Sequence, residues 1–155
     1  MIKDNSKKFI LRIIIIGCVI FIVNLFFFQI VFVDGISMVP TLNDKDIVVI
    51  KKINIKPERN DIVVIKKNKR TIVKRIIGKP GDIIKIDKFV YVNGQQFDEI
   101  ETDDEENKHK EIILKNNQYF VLGDNRANSI DSRNKEIGII QYKEILGKVI
   151  EKNGM

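Results

Sequence analysis

Three stretches of this chain carry side chains able to do chemistry together: Ser37 in the string SMVPTL (Ser37 to Leu42), Lys74 within Thr71 to Ile77, and the dense polar run GDNRANSIDSR from Gly123 to Arg133. A serine hydroxyl is a weak nucleophile until a neighbouring base takes its proton. The single histidine, His109, sits in the acidic stretch 98–111 (DEIETDDEENKHKE), which is too polar to hold an imidazole by packing, so a Ser-His-Asp triad is not expected. A metal site is not expected either. One histidine and irregularly spaced carboxylates do not make a cage, and the only cysteine, Cys18, has no partner for a disulfide or a thiolate cluster. No cofactor is implied. If Ser37 is a nucleophile, another kind of base must serve it.

Lys74 is the candidate. In an extended strand Ile72, Lys74 and Ile76 share one face, while Val73, Arg75 and Ile77 share the other. Two flanking isoleucines desolvate the amine, which disfavours the ammonium form and lowers its pKa toward neutrality; a neutral amine can accept a hydroxyl proton. The plainer alternative is a lysine whose stem covers apolar surface while its head stays in water. In the polar run, Ser129 offers a hydroxyl to hold an amine, and Asp131 and Arg133 could join Arg75 in an ion pair. Taken alone the run is equally a solvated, turn-rich loop, although binding and catalytic residues concentrate on such loops.

The elements that must position these residues follow from the apolar pattern. Ile13 to Val33 contains no charge and only Asn24 and Gln29 as clearly polar residues, a run of 21 residues. At 1.5 Å per residue it spans the roughly 30 Å hydrocarbon core, is longer than the apolar part of a secretory leader, and is followed by no small-x-small cleavage site. The expectation is one N-terminal transmembrane helix over 13–33, a cytoplasmic segment 1–12 and an extracytoplasmic domain 34–155. Lys3, Lys7, Lys8 and Arg12 face a single Asp4 before the run, whereas charges balance just after it, which puts the amino end in the cytoplasm. Ser37 then lies within about 13 Å of Val33, at the membrane surface. Beyond residue 40 the pattern is mainly β. Asp46 to Lys52 and Asp61 to Lys67 both contain DIVVIKK; Thr71 to Ile77, Ile83 to Ile86, Tyr119 to Leu122 and Gly147 to Ile150 are further strands, and Phe89 to Phe97 is a hairpin turning at Asn93-Gly94. Antiparallel β-sheets forming a sandwich or open barrel are expected, with 98–111 as a solvated polar loop. The formal net charge of +6 is scattered rather than clustered, which argues for attraction to membrane lipid and not for nucleic acid.

Taken in order, the anchor, SMVPTL, RNDIVVIKK from Arg59, KRIIGKPGD from Lys74 and GDNRANSIDSR resemble the type I signal peptidases of the bacterial Ser-Lys class, over almost the whole chain. The resemblance implies paired antiparallel sheets, Ser37 as acylating nucleophile, Lys74 as general base, Ser129 orienting the Lys74 amine, Met38 lining the substrate site, and Arg75, Asp131 and Arg133 as structural supports. Its implied partners are preprotein signal peptides. Where some members carry a serine donor to the oxyanion this chain has Gly35, so the hole is expected to use main chain, the Ser37 N–H with help from the Gly35 region. Asn60 and Ala127 stand where the family often has glycine and aspartate, and the accessory domain of longer members is missing, as in a minimal Gram-positive-type enzyme. A specialised Ser-Lys peptidase for pilin or conjugation proteins would carry the same strings. An inactive module that only binds signal sequences is disfavoured by its filled catalytic positions, and a self-cleaving repressor by the anchor.

Overall fold

The computed structural model describes residues 2–87, 89–97 and 110–152. Helix α1 runs over Ile2–Phe27, and its stretch Phe9–Phe27 is long and apolar enough to cross a membrane, none of it buried by the rest of the chain. The expected span 13–33 needs correction at its far end. Phe28–Phe32 is a strand, β1, paired antiparallel with β2 (Ile47–Lys51) from Phe28↔Lys51 to Phe32↔Ile47. A run of Ile, Val, Leu and Phe interrupted only by Gln29 has no polar period to mark where helix gives way to strand, so the partner strand decides. Ser37 therefore stands ten residues beyond the helix, a reach of up to about 33 Å, and is not held at the helix end.

The remaining strands are β3 (Ile62–Lys67), β4 (Arg70–Gly78), β5 (Ile83–Ile86), β6 (Val90–Val92), β7 (Gln95–Gln96), β8 (Lys110–Ile113), β9 (Gln118–Leu122), β10 (Ile140–Gln141) and β11 (Ile145–Lys152). They form a seven-stranded sheet, β1-β2-β11-β3-β4-β9-β10, and a four-stranded sheet, β7-β6-β5-β8, in which every pair is antiparallel. The β6–β7 turn falls at Asn93 and Gly94, both at positive φ. Of the expected polar loop, Lys110 and Glu111 belong to β8, while 98–109, with His109, lies outside the described residues.

The two DIVVIKK strands have a common structural logic. They do not pair with each other; β11 lies between them. Each opening aspartate caps its own turn, Asp46 accepting from the Asn43 N–H at 2.7 Å and Asp61 from the Glu58 N–H at 2.8 Å, and each meets a lysine of β11, Lys152 at 3.0 Å and Lys148 at 2.7 Å. The residue before each aspartate, Lys45 or Asn60, has positive φ. At Asn60 the side chain suits it, since asparagine tolerates that conformation better than most side chains.

Three apolar clusters hold the domain. Val63, Ile65, Ile76, Tyr119, Val121, Ile137, Ile140 and Ile145 fill one, on the face of β4 that also carries Lys74. Val33, Met38, Leu42, Val48, Ile50 and Val64 fill another and root the Ser37 loop. The third joins the small sheet to the large one, Ile84, Ile86 and Leu114 against Ile77, Phe120 and Leu122. Gly78 permits that junction. A Cβ there would sit 2.6 Å from Ile84 Cδ1 and 2.7 Å from Leu114 Cδ1, and the β4–β9 register shifts between Ile76 and Gly78.

Candidate active site

The segment from Val33 to Asp46 is a loop pinned at both ends. The Val33 N–H donates to Asp46 O at 2.8 Å and the Lys45 N–H to Val33 O at 2.9 Å, while Met38 and Leu42 are sunk into the core. Ser37 is thus carried on a rooted turn. Met38, expected to line the substrate site, is only 1% exposed and packs into the core beneath this turn. Gly35 has φ +94°, a conformation suited to glycine, and its N–H donates to Asp44 Oδ1 at 2.7 Å. That amide is already engaged. Among the described residues the Ser37 N–H has no such partner.

Across from the turn, the β3–β4 ladder sets Lys74 opposite Val63, and Lys74 Nζ lies 2.6 Å from Ser37 Oγ. The residue is only 4% exposed, so the snorkelling alternative does not hold. Burial pushes the Lys74 pKa below the ordinary lysine value; the Asp131 and Asp124 carboxylates oppose that shift, and the Arg133 guanidinium reinforces it. Among the described residues no carboxylate bonds to the amine. The short contact therefore links a hydroxyl to a lysine whose pKa burial lowers, and when the amine is neutral it runs as Ser37 O–H donating to nitrogen.

The run from Gly123 to Arg133 closes the site. Gly123 comes so near that a Cβ would be 2.5 Å from Ser37 O and 2.2 Å from Ser129 Oγ. Asn125, which the sequence reading passed over, ties down the nucleophile turn: its N–H donates to Ser37 O at 3.0 Å and its Nδ2 to Ile36 O at 3.2 Å. Ser129 Oγ is buried and has no hydrogen-bond partner among the described residues. The expected bond from Ser129 to Lys74 is absent; the amine contacts Ser37 Oγ. A buried hydroxyl without a partner costs about 1–3 kcal/mol, which singles this one out.

The ion pairs differ from expectation. Arg75 does not meet Asp131. Its Nε and Nη2 reach Asp124 at 2.8 and 2.5 Å, and its Nη1 donates to Asn60 O at 2.8 Å. Asp131, with no exposure at all, is gripped by Arg133 through Nε and Nη2, both at 2.9 Å, and by the Gly123 N–H at 3.0 Å. The run folds back on itself, so an arginine two residues along satisfies Asp131 locally and leaves Arg75 to the aspartate next to Gly123. Burial alone would raise the Asp124 pKa, but hydrogen bonds from Arg75 and Thr41 outweigh it and hold the carboxyl below its ordinary value. The short Asp-x-Arg interval was the signal available; which arginine serves which aspartate was not legible.

A serine hydroxyl set against a desolvated lysine on an antiparallel β framework is the arrangement of a serine hydrolase whose base is an amine. Comparison with known proteins narrows the class. A family model described as signal peptidase, peptidase S26, matches residues 6–152. Signal peptidase I U of Bacillus subtilis (strain 168) is 36% identical over 89% of this chain and 82% of its own length; signal peptidase I S of the same organism is 35% identical over 92% and 88%. A crystal structure of a signal peptidase I from Enterococcus faecalis V583 aligns with 29% identity and a TM-score of 0.46 over 63% of this chain and 98% of its own. This chain belongs to the signal peptidase family, peptidase S26.

Proposed function

We propose that this chain is a membrane-anchored serine endopeptidase that removes signal peptides from secreted preproteins, with Ser37 as nucleophile and Lys74 as general base. The observation that carries the site assignment is the 2.6 Å contact between Ser37 Oγ and the buried Lys74 amine. Neutral Lys74 takes the Ser37 proton as the oxygen attacks the scissile carbonyl; the protonated amine then supplies the leaving group with its proton, and Lys74 activates the water that hydrolyses the ester. As Ser37 becomes acylated its oxygen ceases to hold the amine well, and Ser129 Oγ, buried and unpartnered, supports a role as the group that receives it. The Ser37 N–H serves as the main-chain donor to the oxyanion, and Gly35 contributes the bend that exposes it rather than its own amide. Substrate binds as an added extended strand whose alternate side chains enter shallow pockets, which suits small residues at the first and third positions before the cut. No cofactor is needed by this scheme.

The amino end lies in the cytoplasm and the β domain outside, on the strength of the basic flank before the span. Membrane lipid is a second partner. Phe28, Ile30 and Phe32 are exposed on the strand that continues directly from the helix, and Lys52 donates its N–H to Phe27 O at 2.8 Å, placing a lysine where the span ends. Purified full-length protein should cut a labelled preprotein once, and Ser37→Ala should abolish the cut with an unchanged melting temperature. Cleavage by Ser37→Ala would remove the nucleophile from this scheme. In spheroplasts, added protease should digest the β domain; complete protection would reverse the orientation.

A further inference from the structure

We infer that Asn125 is a positioning residue that aims the oxyanion donor, an inference that rests on Ser37 being the nucleophile. In a trans peptide the C=O and N–H of one plane point in opposite directions. Whatever holds the Ile36 carbonyl therefore sets where the Ser37 N–H points. Asn125 Nδ2 donates to Ile36 O at 3.2 Å, and the Asn125 N–H donates to Ser37 O at 3.0 Å, so the two peptide planes flanking Ser37 are tied to one residue. With both planes held, φ and ψ of Ser37 are held, and so is the direction in which its Oγ leaves the backbone toward Lys74.

The Asn125 side chain is itself oriented. Asn128 Nδ2 donates to Asn125 Oδ1 at 3.2 Å, which leaves the amide nitrogen facing Ile36. The Val39 N–H shares Ile36 O at 3.2 Å, but that bond lies within the turn and moves with it. Asn125 approaches from 89 residues away in sequence, just after β9, the strand beside β4, so it references the turn to the framework that holds Lys74. Glycine at 123 lets that segment come close, since a Cβ would be 2.5 Å from Ser37 O. The demand on direction is high here because the Gly35 amide is committed to Asp44, which leaves the Ser37 N–H without help from that neighbour.

The test uses full-length protein in detergent with a labelled preprotein and compares Asn125→Ala and Asn125→Asp with the parent. Both variants keep the backbone N–H on Ser37 O and lose the side-chain donor to Ile36 O, Asn125→Ala losing the Oδ1 acceptor of Asn128 as well; the carboxylate in Asn125→Asp further repels the Ile36 carbonyl. Deleting an oxyanion donor outright costs about 10²–10³ in kcat, so misdirecting one should cost roughly 10-fold in Asn125→Ala and more in Asn125→Asp. In Asn125→Ala KM should change by less than about twofold and the pH of the acidic limb should not move, because that change alters neither substrate contacts nor the charges around Lys74. Both variants retaining kcat to within about twofold would overturn the inference. So would a loss in Asn125→Ala expressed as raised KM or as a displaced acidic limb, which would place Asn125 on the substrate or on the base. Ser37→Ala runs alongside: its activity bears on the nucleophile assignment alone, so the two ideas fail separately.

Discussion

Lys74 and Arg75 are neighbours on one strand, both cationic residues withdrawn from water, and the two faces of β4 treat them in opposite ways. On the Lys74 face the buried amine meets the Ser37 hydroxyl, and no carboxylate among the described residues bonds to it. On the Arg75 face the guanidinium has Asp124 in a two-point contact, a main-chain carbonyl at Asn60 and the Thr41 hydroxyl at 3.3 Å. Burial without a touching counter-charge favours the neutral base; burial with one keeps the charge and turns it into a strut. Lysine and arginine suit these tasks, since an amine loses its proton readily when desolvated and a guanidinium does not.

The largest effect that would break this contrast is at the base. Lys74→Met fills the same apolar space without an amine, so cleavage should fall by about 10²–10⁴-fold or more, the range of general acid–base catalysis. Its melting temperature should stay level or rise, because a desolvated amine is replaced by a thioether. Near-normal cleavage by Lys74→Met, read on labelled preprotein, would end the assignment of the base.

Next comes Asp131→Asn, which leaves the Arg133 guanidinium facing a neutral amide inside the domain. Breaking a buried pair costs about 3–5 kcal/mol, so denaturant unfolding should show a loss of that order. The same change sharpens the reading of Lys74. Asp131 opposes the fall in the Lys74 pKa, so its removal should carry the acidic limb of the activity profile to lower pH; an upward displacement would contradict the charge arrangement described here.

A smaller effect belongs to Asp124→Asn, on the face where the pair retains some exposure. The folded Asp124 pKa lies below its unfolded value, so the stabilisation is complete above ordinary carboxylate pH and is lost as pH falls through the folded pKa. The parent and Asp124→Asn should therefore differ in melting temperature at neutral pH and converge in strong acid. A difference that persists unchanged into strong acid would mean that packing, not charge, is what Asp124 provides.

How much of this was legible in the sequence depends on whether the deciding interaction is local. Period-two alternation put Lys74 and Arg75 on opposite faces, Asn93-Gly94 marked its turn, and the paired DIVVIKK runs announced two similar strands, because side-chain direction and turn chemistry are set by the residues themselves. The ordered strings around Ser37, Lys74 and Gly123 were enough for the family, whose model matches residues 6–152. Choices between chemically equal partners were not legible. An apolar run reads the same as helix or strand, and only pairing with Ile47–Lys51 made Phe28–Phe32 a strand. Two arginines and two aspartates admit two pairings, and only the fold of the Gly123–Arg133 run gave Asp131 to Arg133 and Asp124 to Arg75. Met38 went to the core and Asn125 to the Ser37 turn for the same reason: the sequence by itself determined which groups exist and which way each strand faces, whereas which groups meet across 37 or 89 residues of chain is set by packing and loop closure, which only the tertiary structure decides.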